Sequence, residues 1–268
     1  MNRIDERFAR LKKEGRKGFI VYIGAGDPNL EKTRELAVAF DQIGVDVLEL
    51  GAPFSDPLAD GLVNQLAAQR GLESGTTPGK VLETVAAIRK QSQIPIVLYI
   101  YFNLIHRRGL EKFVADAAQA GVDGLLTLDL PPEESGNYEA VMAKAGLCTI
   151  YLVAPTTPEE RIKLIVPRGR GFIYYVSREG VTGMQTKVSE TISVMTGKIR
   201  AHTLLPIRFS PMNRIAVSTV HTTSSVVFPC EYETGGEDGV SRYFQTMYPS
   251  PSCAARKTMP MITKVRAN

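Results

Sequence analysis

Glu49 lies near the end of the run VDVLEL at 45–50, where strand alternation sets Val45, Val47 and Glu49 on one face. The valines mark that face as interior. A carboxyl group taken into an interior is costly unless it is paired or used, and desolvation lifts its pKa toward the working range of a general acid or base. A bond to a neighbouring strand-end group is the plainer alternative. The loop that follows, GAPFSDPLADG at 51–61, carries Asp56 and Asp60 among Pro53, Pro57 and two glycines. So stiff a loop presents its carboxylates instead of extending a strand. The two aspartates could hold Mg²⁺, but no histidine or third carboxylate completes a ligand set, and aspartate is common in turns. No metal is expected. Further on, SREGVTGM at 177–184 offers the backbone N–H groups around Gly180 and Gly183 to a phosphate. His106, His202 and His221 are dispersed without HxxxH or HExxH spacing, and Cys148, Cys230 and Cys253 include no CxxC, so neither a zinc site nor a disulfide framework is indicated.

These residues need a scaffold that brings strand ends together. A helical pattern at Ile4, Phe8 and Leu11 opens the chain, followed by the apolar run GFIVYIG at 18–24, the turn AGDPN at 25–29, and a helix-period segment at Leu36, Phe40 and Ile43 ahead of VDVLEL. The alternation continues with helices over 79–91, 110–119, 136–145 and 158–166, and strands over 94–102, 124–128, 148–154 and 172–177. Six strands alternating with helices imply a parallel sheet with right-handed crossovers. The junctions QIGVDVLEL, QAGVDGLLTLDL and KAGLCTIYL each put a glycine where a helix needs a left-handed cap before an apolar strand. No GxGxxG or GxxxxGK[ST] follows any strand, which weighs against a nucleotide-binding open sheet and for a (βα) barrel, whose active site lies at the C-terminal strand ends.

Composition agrees with a globular protein of this size. The chain has 268 residues, 44% hydrophobic and 22% charged, and single barrels commonly run near 250 residues. No apolar run approaches a membrane span, and the charged N-terminus MNRIDERFARLKKEGRKG does not read as a signal peptide, so a cytoplasmic location is expected. The net charge of +4 is concentrated late, with seven Lys/Arg against four Asp/Glu after residue 203. The body is nearly neutral and has no basic stripe for a nucleic acid.

After Thr203 the βα rhythm fades. Ser, Thr and Pro fill 20 of the 65 positions from Leu204 onward. Short strands could form at Ile215 to Val220 and Ser225 to Phe228, but no helix is evident that would connect them in parallel. The segment 204–268 therefore reads as an atypical tail beside a barrel over 1–203, and its composition would suit translation in a shifted reading frame.

The run LELGAPFSDPLADG, with GDP at 26–28, DLPPEES at 129–135 and YYVSREGVTG at 174–183, resembles the tryptophan synthase alpha chain family over about residues 1–203. The resemblance implies a (βα)8 barrel of the TIM type that cleaves indole-3-glycerol phosphate to indole and glyceraldehyde 3-phosphate, without a cofactor of its own. It implies Glu49 as general acid/base, Asp60 as partner of the indole N–H, and Tyr22, Ile100, Thr127, Tyr174 and Gly183 as substrate-binding residues. For Tyr22, Tyr174 and Ile100, core packing explains their positions equally well. A beta chain carrying pyridoxal phosphate is the implied partner in an alpha2-beta2 assembly, facing the loop at 53–60 and the segment Asp129 to Pro132.

The glycine-rich loops GFGIS and GSA, with which the family completes its phosphate site, do not occur here. LLPIRFSPMN at 204–213 begins like a seventh strand at Leu205 to Ile207 and then departs, and nothing later reads as an eighth. Two open barrel edges, a helix over Lys187 to Arg200 without a following strand, and weak phosphate binding are the expectations. Two other readings stay open. One is a subunit, inactive or impaired, that only binds and activates a beta chain. The other is a phosphate-binding (βα)8 enzyme of different specificity, which would need a basic residue aimed at a carboxylate or amine; none is evident.

Overall fold

The computed structural model describes residues 1–176, 188–210 and 216–219. In chain order the elements are α1 (Arg3–Lys13), β1 (Gly18–Gly24), α2 (Leu30–Gln42), β2 (Val47–Gly51), α3 (Leu62–Glu73), α4 (Pro78–Arg89), β3 (Ile96–Ile100), α5 (Phe102–Arg108), α6 (Leu110–Ala120), β4 (Gly124–Thr127), α7 (Gly136–Lys144), β5 (Cys148–Val153), α8 (Glu159–Ile165), β6 (Ile173–Val176), α9 (Val188–Arg200), β7 (Ile207–Ser210) and β8 (Ala216–Thr219). Strands β1 to β7 pair in sequence order, all parallel. This is the (βα) barrel that the alternation implied, of the (βα)8 type that the resemblance implied.

The end of the chain differs from the expectation in two places. Helix α9 does have a following strand: β7 pairs with β6 from Ile173↔Ile207 to Val176↔Ser210. In this strand Ile207 and Phe209 pack on the helix-facing side. The barrel edges are also not left open, because β8 lies antiparallel to both β7 and β1. Reversal fits a sequence that offers no crossover helix between them, since antiparallel neighbours can be joined by a short turn. The remaining expectations for the tail concern residues 211–215 and 220–268, outside the described residues.

Two cores follow from the strand period of two. The interior cluster takes Ile20, Val47, Val97, Tyr99, Leu126, Cys148, Ile150 and Tyr174 from the strands and Phe172 from just before β6, and α1 plugs the floor with Ile4, Phe8 and Leu11. Alternate residues such as Tyr151, Val153, Ile173, Tyr175 and Ile207 face the helices. The expected glycine caps hold: Gly44, Gly121 and Gly146 sit at φ +87°, +94° and +71°. After two of them the repeated GVD places a buried aspartate at a strand entry. Asp46 accepts from Phe19 N and both Arg16 Nη atoms, and Asp123 from Ile96 N, Arg3 and Arg89. Each carboxylate thus ties the floor of its own strand to the preceding one.

Candidate active site

The mouth of the barrel is organised around Asp60. Turn bonds Leu58 N to Asp56 O and Asp60 N to Pro57 O curl the loop after β2, and Ala59 N donates to Tyr101 Oη. Asp60 Oδ1 accepts from Tyr99 Oη at 3.1 Å and Oδ2 from Tyr101 Oη at 2.9 Å, while Asn64 Nδ2 on α3 approaches Oδ1 at 3.3 Å. Burial, and then the Asp60 charge, push both phenols well above the ordinary tyrosine range, so they remain hydrogen-bond donors. A narrow pocket opens beside this carboxylate, lined by Tyr22, Pro53, Phe54, Tyr99 and Tyr101 among others. Tyr22 packs edge-on against Tyr99 with ring centroids 5.2 Å apart. Gly51 permits this: a Cβ there would stand 2.2 Å from Tyr22 Oη.

Glu49 lies two residues deeper on β2, on the interior face shared with Val47, and is fully shielded from solvent. It is paired. Arg208 Nη2 of β7 lies 2.6 Å from Glu49 Oε2, and the guanidinium stacks 4.0 Å above the Tyr174 ring. The contact is a Coulombic pair more than an aligned hydrogen bond, for among the described residues neither Glu49 oxygen has a donor in hydrogen-bonding geometry, and Arg208 Nε and Nη1 have no acceptor. Burial raises the Glu49 carboxyl to about 7 against the opposing pull of Arg208. A group poised there can both release and take a proton near neutrality.

The structure brings Glu49, Asp60, Tyr22 and Tyr174 to the interior and mouth, as expected from the sequence. Ile100 and Thr127 are placed elsewhere. Val97 and Tyr99 are the inward residues of β3, so Ile100 faces the helices, and Thr127 Oγ1 bonds Tyr138 Oη of α7. A register off by one on each strand accounts for both: Tyr99 and Leu126 hold the interior positions. Gly180 and Gly183 lie outside the described residues. Among the described residues no group of three or more His, Cys, Asp or Glu gathers in a way that could hold a metal. Three functional candidates escaped the sequence reading. Tyr99 and Tyr101 were signalled by the alternation in LYIY, and Arg208 by its position between Ile207 and Phe209.

A family model described as tryptophan synthase alpha chain matches residues 8–211. The tryptophan synthase alpha chain of Opitutus terrae is 53% identical over 207 residues, covering 77% of this chain and 78% of that protein, and the one from Geotalea daltonii is 48% identical over the same shares. Among solved structures, tryptophan synthase subunit alpha from Legionella pneumophila superposes with a TM-score of 0.70 at 37% identity, covering 78% of each chain. A chain of the tryptophan synthase a2b2 complex from Pyrococcus furiosus gives 0.68 at 35% identity, over 72% of this chain and 77% of that one. A barrel with a shielded glutamate on its second strand, an aspartate held over the mouth, and this degree of likeness along three quarters of its length belongs to the tryptophan synthase alpha chain family.

Proposed function

We propose that this chain is a carbon–carbon lyase that cleaves indole-3-glycerol phosphate to indole and glyceraldehyde 3-phosphate in tryptophan biosynthesis. The observation that carries the residue assignment is the pairing of a buried, near-neutral carboxyl with a fixed anion at the pocket above it. Glu49 gives its proton to indole C3, which breaks the ring's aromaticity and leaves positive charge toward the nitrogen. Asp60, held by Tyr99 and Tyr101, accepts a hydrogen bond from the indole N–H and stabilises that charge. The Glu49 carboxylate then takes the proton of the hydroxyl next to the ring. The C–C bond breaks, its electron pair returns to the indole, and the hydroxyl carbon becomes the aldehyde. No step calls for a metal or organic cofactor in this chain.

The partner is a tryptophan synthase beta chain. Leu58 in the mouth loop and Leu62, Val63 and Leu66 on α3 are exposed apolar residues, the first at 83%, continuous with the loop that carries Asp60. A partner that covers them also touches the loop holding the catalytic anion, which gives a physical route to activation. Asp129 Oδ1 caps the start of α5 through Phe102 N, fixing the second segment assigned to that face. No described helix is long and apolar enough to cross a membrane, and a cytoplasmic location is part of this reading.

The test is release of indole from indole-3-glycerol phosphate, with and without added beta chain. Cleavage is expected in both, faster with the partner, and with a Michaelis constant above that of the Opitutus terrae relative because the GFGIS and GSA loops are missing. No indole in either condition would overturn the reading in favour of a subunit that only activates its partner.

A further inference from the structure

We propose that Arg208 is a positioning residue that holds Glu49 down inside the barrel as its internal counter-ion and so restrains proton transfer by this chain. The inference rests on the reading of Glu49 as proton carrier and deepens it. Arg208 is 2% exposed and Glu49 0%, so the pair sits away from water and its attraction is little screened. The guanidinium is fixed on two sides, by Glu49 Oε2 at 2.6 Å and by the Tyr174 ring at 4.0 Å. Among the described residues its Nε and Nη1 are buried without acceptors, as is Glu49 Oε1 without a donor. Such a site is not built for stability alone, because a native buried ion pair normally has its remaining valences satisfied.

Two consequences follow for Glu49. Its carboxylate is drawn toward β7, although the pocket above is lined by Tyr22, Asp60, Tyr99 and Tyr101 and not by Glu49. Its proton is also drawn off, since Arg208 opposes the rise that burial causes. No other charged side chain faces it among the described residues. β1 contributes the Tyr22 phenol, β3 Tyr99 and β6 Tyr174 to the same interior. Asp60 is joined to this group by the Tyr99 hydrogen bond. Arg208 is therefore the charge that sets the protonation of Glu49, and a first step that delivers a proton to carbon is slowed by it.

The experiment compares wild type, Arg208→Met and Arg208→Lys. The Glu49 carboxyl is titrated by carbon-13 NMR on glutamate-labelled protein, its signal assigned by its loss in Glu49→Gln, and the pH profile of indole release is measured in parallel. Arg208→Met, which keeps the volume and removes the charge, is expected to raise the Glu49 titration midpoint by at least one pH unit. It should move the alkaline limb of kcat up by the same amount and raise kcat at pH 8 about fivefold for a one-unit rise, while Arg208→Lys stays near wild type. An unchanged midpoint in folded Arg208→Met overturns the inference. If neither protein releases indole, the lyase reading fails while the titration still decides the role of Arg208. Should Arg208→Met fail to fold, the wild-type guanidinium NH signal, assigned through Arg208→Lys, must shift with the Glu49 midpoint; a signal that ignores it is equally decisive against the proposal.

Discussion

Glu49→Gln is expected to lower kcat for indole release by about 10²- to 10⁴-fold, the usual contribution of a positioned acid/base. Glutamine keeps the volume and polarity of the side chain but can neither deliver a proton to carbon nor accept one from the hydroxyl. Asp60 and its two tyrosines are untouched by the change, so binding of the ring and stabilisation of its charge persist. The Michaelis constant should accordingly move far less than kcat. Stimulation of a beta chain by the variant should also survive, because the mouth loop and α3 retain their apolar face. A variant that releases indole at the wild-type rate would remove Glu49 from the reaction. A variant that loses beta-chain stimulation as well as cleavage would show that the substitution disturbs the fold, which circular dichroism would register.

The second large effect is on stability against pH. The folded-state pKa of Glu49, about 7, lies above its unfolded value near 4.5. A carboxyl raised on folding contributes stability that is fully present below the unfolded pKa and is lost as pH rises through the folded one. The window is therefore pH 4.5 to 7. With 1.36 kcal/mol per pH unit, the loss across it is about 3 kcal/mol, or roughly 6–12 °C in Tm for a chain of this size. Carboxylates whose pKa is lowered by salt-bridging arginine or lysine, such as Glu133 and Asp116, titrate below this window and act in the opposite sense. The clean observable is thus the difference between wild type and Glu49→Gln in denaturant unfolding. Relative to the variant, wild type should lose that amount between pH 4.5 and 7.5. A constant difference over this range would mean that Glu49 ionises as freely in the fold as in the open chain.

Much of this molecule is legible in its sequence. The glycine after each helix, the valines around Glu49 and the proline-stiffened loop are local signals, and each produced the expected cap, face or turn. What escaped was set by tertiary context. Helix α3 has no one-sided apolar stripe: only Ala67 and Gly71 are buried, while Leu62, Val63 and Leu66 point outward, so periodicity could not announce it. On β3 every residue is buried, so the pattern of polarity could not tell Tyr99 from Ile100 as the inward residue. Arg208 is the opposite case. Its alternation was visible, but a guanidinium inside a barrel is improbable until the carboxylate that receives it is known to stand across from it.

The complete enclosure of Glu49 has one more consequence. The proton it spends on carbon is replaced from the substrate's own hydroxyl, so each turnover returns the side chain to its starting form with no net acid taken from or given to the medium. A carrier that recharges itself in this way does not wait on hydronium or on dissolved weak acids, and cleavage by this chain should proceed at the same speed in dilute and in concentrated buffer.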